Sequence, residues 1–243
     1  MAVVCVPDYS PHAIAEFTIG LMISLERTIH RAWARVRGNN FSLDGLVGRN
    51  LHERTVAVVG TGRIGALVAR TLKLGFGCRV LAVDMIEDAD LKAIGVAYAS
   101  AADAMAAAHL LTFHCPLTPA TRAMLDVAAI ARAPPGSMVV NTSRGALVDT
   151  PALIDGLKRG QTGGVALDVY EEEAAIFFED MSDEIVQDDV FQRLLTFANV
   201  LVTGHQASHT QEALAHIAEA TLADISAQEA GTASKNRVRP ATR

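Results

Sequence analysis

Six short apolar runs punctuate the chain: TVAVVG (55–60), RVLAVD (79–84), HLLTFHC (109–115), SMVVNTS (137–143), GVALDVY (164–170) and NVLVTG (199–204). They are near-continuous rather than alternating, which is the pattern of strands buried on both faces. Between them lie helical stretches such as RIGALVARTLKLG and TPALIDGLKRG, the latter opening at Thr150–Pro151 and stopping at Gly160. SAADAMAAA begins with Ser100 followed by Asp103, a capping-box pattern. Strands alternating with helices predict an α/β fold, a doubly wound parallel sheet with helices on both faces.

A different period precedes the first strand. Ser10 and Pro11 read as a helix cap and first turn. Ile14, Phe17, Leu21, Leu25, Ile29, Trp33 and Val36 then recur at three- or four-residue steps up to Gly38. That spacing predicts one long linking helix of roughly 27 residues, about 40 Å, which would outreach a small domain. A further helix is expected over about 210–229. The last ten residues, SKNRVRPATR, carry four basic groups and no acid. They read as a solvated, disordered tail within 231–243 rather than a polyanion-binding arm.

Composition narrows the function classes. The 243 residues are half hydrophobic and one-fifth charged, with a formal charge of −6. A binder of phosphate backbones is usually basic, so no nucleic-acid partner is expected. Cys5, Cys78 and Cys115 are an odd set without a C-x-x-C pair, which argues against disulfides and zinc and suits a reducing cytoplasm. The opening MAVVCVPDYS lacks the basic leader of a signal peptide. The oily stretch 13–25 contains Glu16 and runs into ERTIHR, so no membrane span is expected.

VAVVGTGRIGALVAR sets Gly60, Gly62 and Gly65 as G-x-G-x-x-G between a strand and a helix. The first glycine permits the turn, the second lets the main chain approach a pyrophosphate, and the third brings helix and strand together. The helix then offers free N–H groups to the phosphates. Asp84 ends the next strand, 19 residues beyond Gly65. There a carboxylate accepts from both ribose hydroxyls and repels a 2′-phosphate, so a Rossmann-type sheet binding NAD, not NADP, is predicted.

Arg144 follows another buried strand, where open parallel sheets hold their ligands, and a guanidinium can grip a carboxylate through two hydrogen bonds. GVALDVYEEE ends a strand with Asp168 and then Glu171, Glu172 and Glu173. At least two of these acids read as a solvated face, while one turned toward an imidazole would fix its tautomer. His205 lies at the same edge of the sheet. A metal pair with His209 would need one helical face and a third ligand, and His205 precedes the expected helix start at Thr210. Acid/base catalysis is the better account, a buried spectator the bland one, and no metal is expected.

Together VPDYSPHAIAE, VGTGRIG, HCPLTPATRAML, NTSRGALVDT, ALDVYEEE and VTGHQA resemble the D-isomer-specific 2-hydroxyacid dehydrogenases, over residues 3 to about 225. The segment IFFEDMSDEIVQDDVFQRLLTFANVLVTGHQA is similar to the fermentative D-lactate dehydrogenase branch. The resemblance implies that Arg144 binds the substrate, Glu173 pairs with the histidine, and His205 exchanges the proton of the substrate hydroxyl. It implies cofactor contacts at Arg63, Ile64, Asp84, Cys115, Pro116, Thr121, Thr142, Ser143 and Asp168 besides the glycines, and places Tyr9 against the substrate. It also implies a homodimer through the long helix and the cofactor domain.

Members of that family begin with a catalytic domain, of which only residues 1–9 would remain here, so on the order of 100 residues are absent. Residues 10–207 would form the dinucleotide-binding domain, and the helix within 208–230 would pack on the absent domain. Ser208 and His209 stand where the family has aromatics, Phe17 where it often has histidine, and Ala198 where proline is common. Two readings therefore compete: an NAD-dependent dehydrogenase of D-2-hydroxy acids, with D-lactate and pyruvate expected, or an NAD-binding module with little turnover, comparable to NAD-sensing corepressors of the family.

Overall fold

The computed structural model describes residues 3–6 and 10–238. Its elements in chain order are α1 (Pro11–Glu26), α2 (Ile29–Arg37), β1 (Thr55–Val59), α3 (Arg63–Leu74), β2 (Arg79–Val83), α4 (Ala89–Ala93), β3 (Ala97–Tyr98) and α5 (Ala101–Ala107). They continue with β4 (Leu110–Phe113), α6 (Val127–Arg132), β5 (Ser137–Asn141), α7 (Thr150–Lys158), β6 (Thr162–Leu167), α8 (Asp189–Leu195), β7 (Val200–Val202) and α9 (Gln211–Glu229).

All seven strands are parallel, in the order β3-β2-β1-β4-β5-β6-β7. The chain runs outward from β1 on one side and from β4 on the other. The strand order therefore reverses between β1 and β4, and a crevice opens there at the carboxyl ends of the strands. Every residue of β1 is buried because both sheet faces are covered. Val56 and Val58 pack with α1 and α3 through Met22, Leu25, Val68 and Leu72. Ala57 and Val59 face the opposite layer, with Met105, Ile130 and Leu153 of α5, α6 and α7.

The single long helix expected from the sequence is two helices. Thr28 between them has φ +51°, and its hydroxyl donates to Leu46 O at 3.3 Å. Arg49 N meanwhile caps Glu26 O at 2.9 Å. The loop that follows thus bonds back onto the helix and turns the chain at Thr28. The apolar stripe divides with it: Leu21, Met22 and Leu25 of α1 are core, while Ile29, Trp33 and Val36 of α2 are 49–63% exposed.

The tail also departs from expectation within its described part. Ser234 Oγ and Asn236 Nδ2 donate to the Asp224 carboxylate of α9, and Asn236 O accepts from Cys5 N at 3.0 Å. Val238 N donates to Val3 O at 2.9 Å, so residues 236–238 form a short ribbon with 3–5 instead of fraying. Among the described residues no helix is long and apolar enough to cross a membrane.

Candidate active site

The first glycine of the loop sits at φ +91°, and a side chain there would start 2.5 Å from Cys115 N. A side chain on Gly65 would run into Gly60 O. Gly62 differs, because nothing lies within 4 Å of the position its side chain would take. It precedes α3 without any side-chain cap, so open space lies at the start of that helix. That is the cradle an anionic phosphate requires. Arg63 and Ile64 form the first turn of α3.

Asp84, just past β2, accepts from Thr61 N at 2.6 Å and Thr61 Oγ1 at 3.0 Å, and its other oxygen accepts from Ile86 N at 3.2 Å. Burial works to raise this carboxyl, but the hydrogen bonds from Thr61, Ile86 and Met85 outweigh it and hold the group below the usual carboxylate range. Thr61, Gly62, Asp84, Ile86 and Asp88 line a cavity of about 490 Å³. An ionised acid facing open space beside the glycine turn fits the ribose of NAD. These residues would hold the cofactor.

Across the crevice, Thr121 Oγ1 closes its loop on Pro116 O at 2.7 Å. Cys115 is buried, and burial pushes its thiol up. Ser143 Oγ donates to Cys115 O at 2.9 Å, tying this loop to the one after β5. Thr142 is 8% exposed and bonds Thr18 of α1 hydroxyl to hydroxyl at 2.8 Å. Of the expected contacts in this part, the Cys115 and Thr142 side chains therefore face the protein.

The carboxyl ends of the neighbouring strands β5, β6 and β7 carry the remaining candidates. Asn141 Nδ2 donates to Arg144 O at 2.9 Å, and the exposed Arg144 guanidinium donates to Ser143 O at 2.7 Å. His205 has φ +54°, and its Nδ1 lies 3.0 Å from Glu173 Oε1. The second Glu173 oxygen accepts from Tyr170 N at 3.0 Å, so the carboxylate is itself held. Because the carboxylate accepts, Nδ1 carries a proton, which leaves Nε2 as the ring nitrogen for proton exchange. Arg144 is not ion-paired to either residue, but its loop touches theirs: a side chain on Gly145 would collide with the Tyr170–Glu171 backbone.

Asp168, expected as a cofactor contact, is fully buried. It accepts from Thr203 Oγ1 at 2.6 Å, Gln206 N at 2.9 Å and Ala207 N at 2.8 Å. Its carboxylate is thus turned toward the bend that carries His205, not toward the crevice. Tyr9 lies outside the described residues. Two residues that the sequence reading passed over also belong here. Phe178 leans over the His205 ring at 5.8 Å between centroids. His114 sits beneath the glycine turn, where burial pushes its imidazole down to about 3. Neither carries a spacing signal of its own.

The sequence matches the D-isomer specific 2-hydroxyacid dehydrogenase, NAD binding domain, over residues 19–207. The chain belongs to that family. It is 50% identical over 226 residues to 2-hydroxyacid dehydrogenase homolog 1 of Schizosaccharomyces pombe, covering 93% of this chain and 68% of the relative. It is 46% identical to the D-lactate dehydrogenase of Escherichia coli, covering 98% and 72%. A solved D-lactate dehydrogenase of Aquifex aeolicus, complexed with NAD and lactic acid, superposes with a TM-score of 0.88 at 33% identity, covering 98% of this chain and 73% of that one. The chain is thus the NAD-binding part of a D-2-hydroxyacid dehydrogenase and spans about 70% of the length of these relatives.

Proposed function

We propose that this chain serves the interconversion of D-lactate and pyruvate, with the His205–Glu173 pair handling the proton. The observation that carries the reading is the 3.0 Å contact between His205 Nδ1 and Glu173 Oε1, at the same strand ends as Arg144. NAD, when bound, supplies the hydride chemistry. Arg144 takes the substrate carboxylate and polarises the reacting oxygen. His205 Nε2 removes the hydroxyl proton in oxidation and returns it in reduction, and Glu173 steadies the imidazolium between. The D-lactate dehydrogenase relatives support this substrate over bulkier acids.

A specific observation favours a weaker role for the chain taken alone. Leu214, Leu222 and Ile225 of α9 are 48–64% exposed, and Arg144 is exposed rather than enclosed by a second wall. Orientation of substrate and exclusion of water need such a wall. The expected result is therefore NADH binding with poor turnover. Calorimetric titration with NADH, followed by NADH consumption with pyruvate, tests both halves. Absence of NADH binding removes the proposal, and vigorous turnover removes the weaker role.

The partner we assign is a second copy of the chain, meeting it through α2 and the loop beyond. Trp33, Phe41, Leu43 and Val47 are 63–92% exposed there, an apolar patch that a soluble monomer rarely keeps. Light scattering that reports a monomer would contradict the assignment. The cytoplasm is the proposed compartment, supported by three free thiols at Cys5, Cys78 and Cys115.

A further inference from the structure

The two-residue strand β3 brings one polar side chain, Tyr98, to the edge of the sheet. Tyr98 pairs with Ala82, two positions before Asp84, and its ring packs on the core layer that holds Val80, Ala82 and Leu91. The phenol oxygen lies 3.0 Å from Thr61 Oγ1 and accepts from Asp88 N at 2.9 Å. Thr61 Oγ1 in turn donates to Asp84 Oδ2 at 3.0 Å. One hydroxyl of β3 thus ties the glycine turn, the acid after β2 and the start of α4 together.

The direction of each proton in this row is determined. Burial raises the Asp84 carboxyl, but the Thr61 amide, the Ile86 amide and the Thr61 hydroxyl hold it below the usual carboxylate range. It is therefore ionised at neutral pH and only accepts, so the Thr61 hydroxyl points its proton at Asp84. A hydroxyl has one proton, so Thr61 accepts at its second contact and Tyr98 donates there. The reverse would set two acceptor oxygens, Thr61 Oγ1 and Asp84 Oδ2, against each other at 3.0 Å. The row runs from Asp88 N through Tyr98 and Thr61 to Asp84 with every donor matched. Thr61, Asp84 and Asp88 all line the cavity of about 490 Å³ beside the glycine turn. The Asp88 carboxylate is itself occupied in capping α4, where it accepts from Asp90 N at 2.8 Å and Leu91 N at 3.1 Å.

We propose that Tyr98 and Thr61 are positioning residues that set the preference for NAD over NADP by holding Asp84 Oδ1 toward the ribose. Thr61 N and Oγ1 both donate to Oδ2, which leaves Oδ1 as the oxygen that meets a ribose hydroxyl. The same held charge faces the 2′-phosphate of NADP and repels it. Without the phenol hydroxyl, the Thr61 hydroxyl is free to rotate and Asp88 N loses its acceptor. Asp84 can then turn, so NADH loses a hydrogen bond while NADPH loses a repulsion, and the two affinities approach each other. The inference rests on Asp84 as the ribose partner, which Asp84→Ala tests separately.

Calorimetric titration of the 243-residue chain and its variants with NADH and NADPH at neutral pH tests the proposal. Tyr98→Phe should lower the ratio of NADH to NADPH affinity about fivefold with the circular dichroism unchanged. Thr61→Val should lower it at least as far, and Thr61→Ser, which keeps the hydroxyl, should return it to the parent value. On an Asp84→Ala background, Tyr98→Phe should leave the ratio where Asp84→Ala alone sets it. An unchanged ratio in Tyr98→Phe and Thr61→Val, or an equal fall on the Asp84→Ala background, overturns the positioning role. A ratio that Asp84→Ala itself does not move removes the ribose reading beneath it as well. A second measurement needs no coenzyme: the Asp84 carboxyl carbon, followed by nuclear magnetic resonance against pH. It should titrate at higher pH in Thr61→Val than in the parent, because a hydrogen bond to the ionised form is gone. An unmoved midpoint there overturns the proposal whatever the coenzyme affinities are.

Discussion

Lowering the pH from about 7 to 4.5 should cost this chain a defined amount of stability through one imidazole. His114 follows β4 beneath the glycine turn, with Nε2 2.9 Å from Thr112 Oγ1. Burial pushes it from 6.5 to about 3. In the unfolded chain a histidine titrates near 6.5. Between about 6.5 and 3 the unfolded state therefore holds a proton that the folded state refuses, and stability rises with pH across that window. The contribution is complete above about 6.5 and is lost progressively as acid is added. At ~1.4 kcal/mol per pH unit, the span from 6.5 to about 3 caps the effect at roughly 5 kcal/mol. Down to pH 4.5 it amounts to ~2–3 kcal/mol, a large part of the 5–15 kcal/mol typical of a domain. Urea unfolding followed by circular dichroism, on the parent and on His114→Gln, measures it. Glutamine keeps an amide in reach of Thr112, which has no exposure of its own, and carboxylates common to both chains cancel in the comparison. The parent should lose ~2–3 kcal/mol more than the variant over that interval. Parallel pH slopes would refute the reasoning, since they would mean that the folded chain protonates His114 freely.

Three further outcomes follow from the same geometry. Asp168→Asn sets an amide against three donors, at Thr203, Gln206 and Ala207. It should cost ~2–4 kcal/mol in urea unfolding and speed hydrogen exchange at Ala207, whereas an unmoved midpoint counts against a structural role. Gly65→Ala drives a methyl into Gly60 O and should weaken NADH binding at least about tenfold by calorimetry with the circular dichroism unchanged; undiminished affinity would mean that the glycine turn is not the phosphate cradle. Asp84→Ala leaves Thr61 N without its acceptor and should lower NADH affinity about tenfold while NADPH suffers less. An unchanged ratio of the two affinities would show that Asp84 does not read the ribose.

What was legible in the sequence was what local chemistry determines. The run Thr55–Val59 is apolar without alternation because both of its faces are covered, and the glycine spacing locates the turn that Gly60 makes at φ +91°. Strand β3 shows no such run. It consists of Ala97 and Tyr98 paired with Leu81 and Ala82 at the edge of the sheet, and exists only through that pairing. The break at Thr28 was equally hidden. No proline interrupts residues 12–37, and the left-handed turn depends on Leu46 and Arg49, far along the chain. Asp168 was visible as an acid at a strand end, but which way it faces is decided by the backbone of 206–207. A spacing rule cannot see that.

The loop after β6 explains why this arrangement can persist in a chain that spans about 70% of its relatives. Within six residues, Asp168 anchors the bend that presents His205, Tyr170 N holds Glu173, and Glu173 holds the imidazole. Tyr170 is fixed in turn by its hydroxyl on Asp188 at 2.7 Å, and burial with that carboxylate pushes its phenol upward. The Arg144 loop is pressed on the same backbone through Gly145. Among the described residues, these supports for the acid/base pair come from β5, β6, β7 and the loops that follow them. A second wall is not needed to assemble the pair; what it adds is substrate orientation and exclusion of water. Loss of turnover in this chain should therefore leave the His205–Glu173 contact intact, and a pair that comes apart in the isolated chain would show that the second wall builds the site as well as closing it.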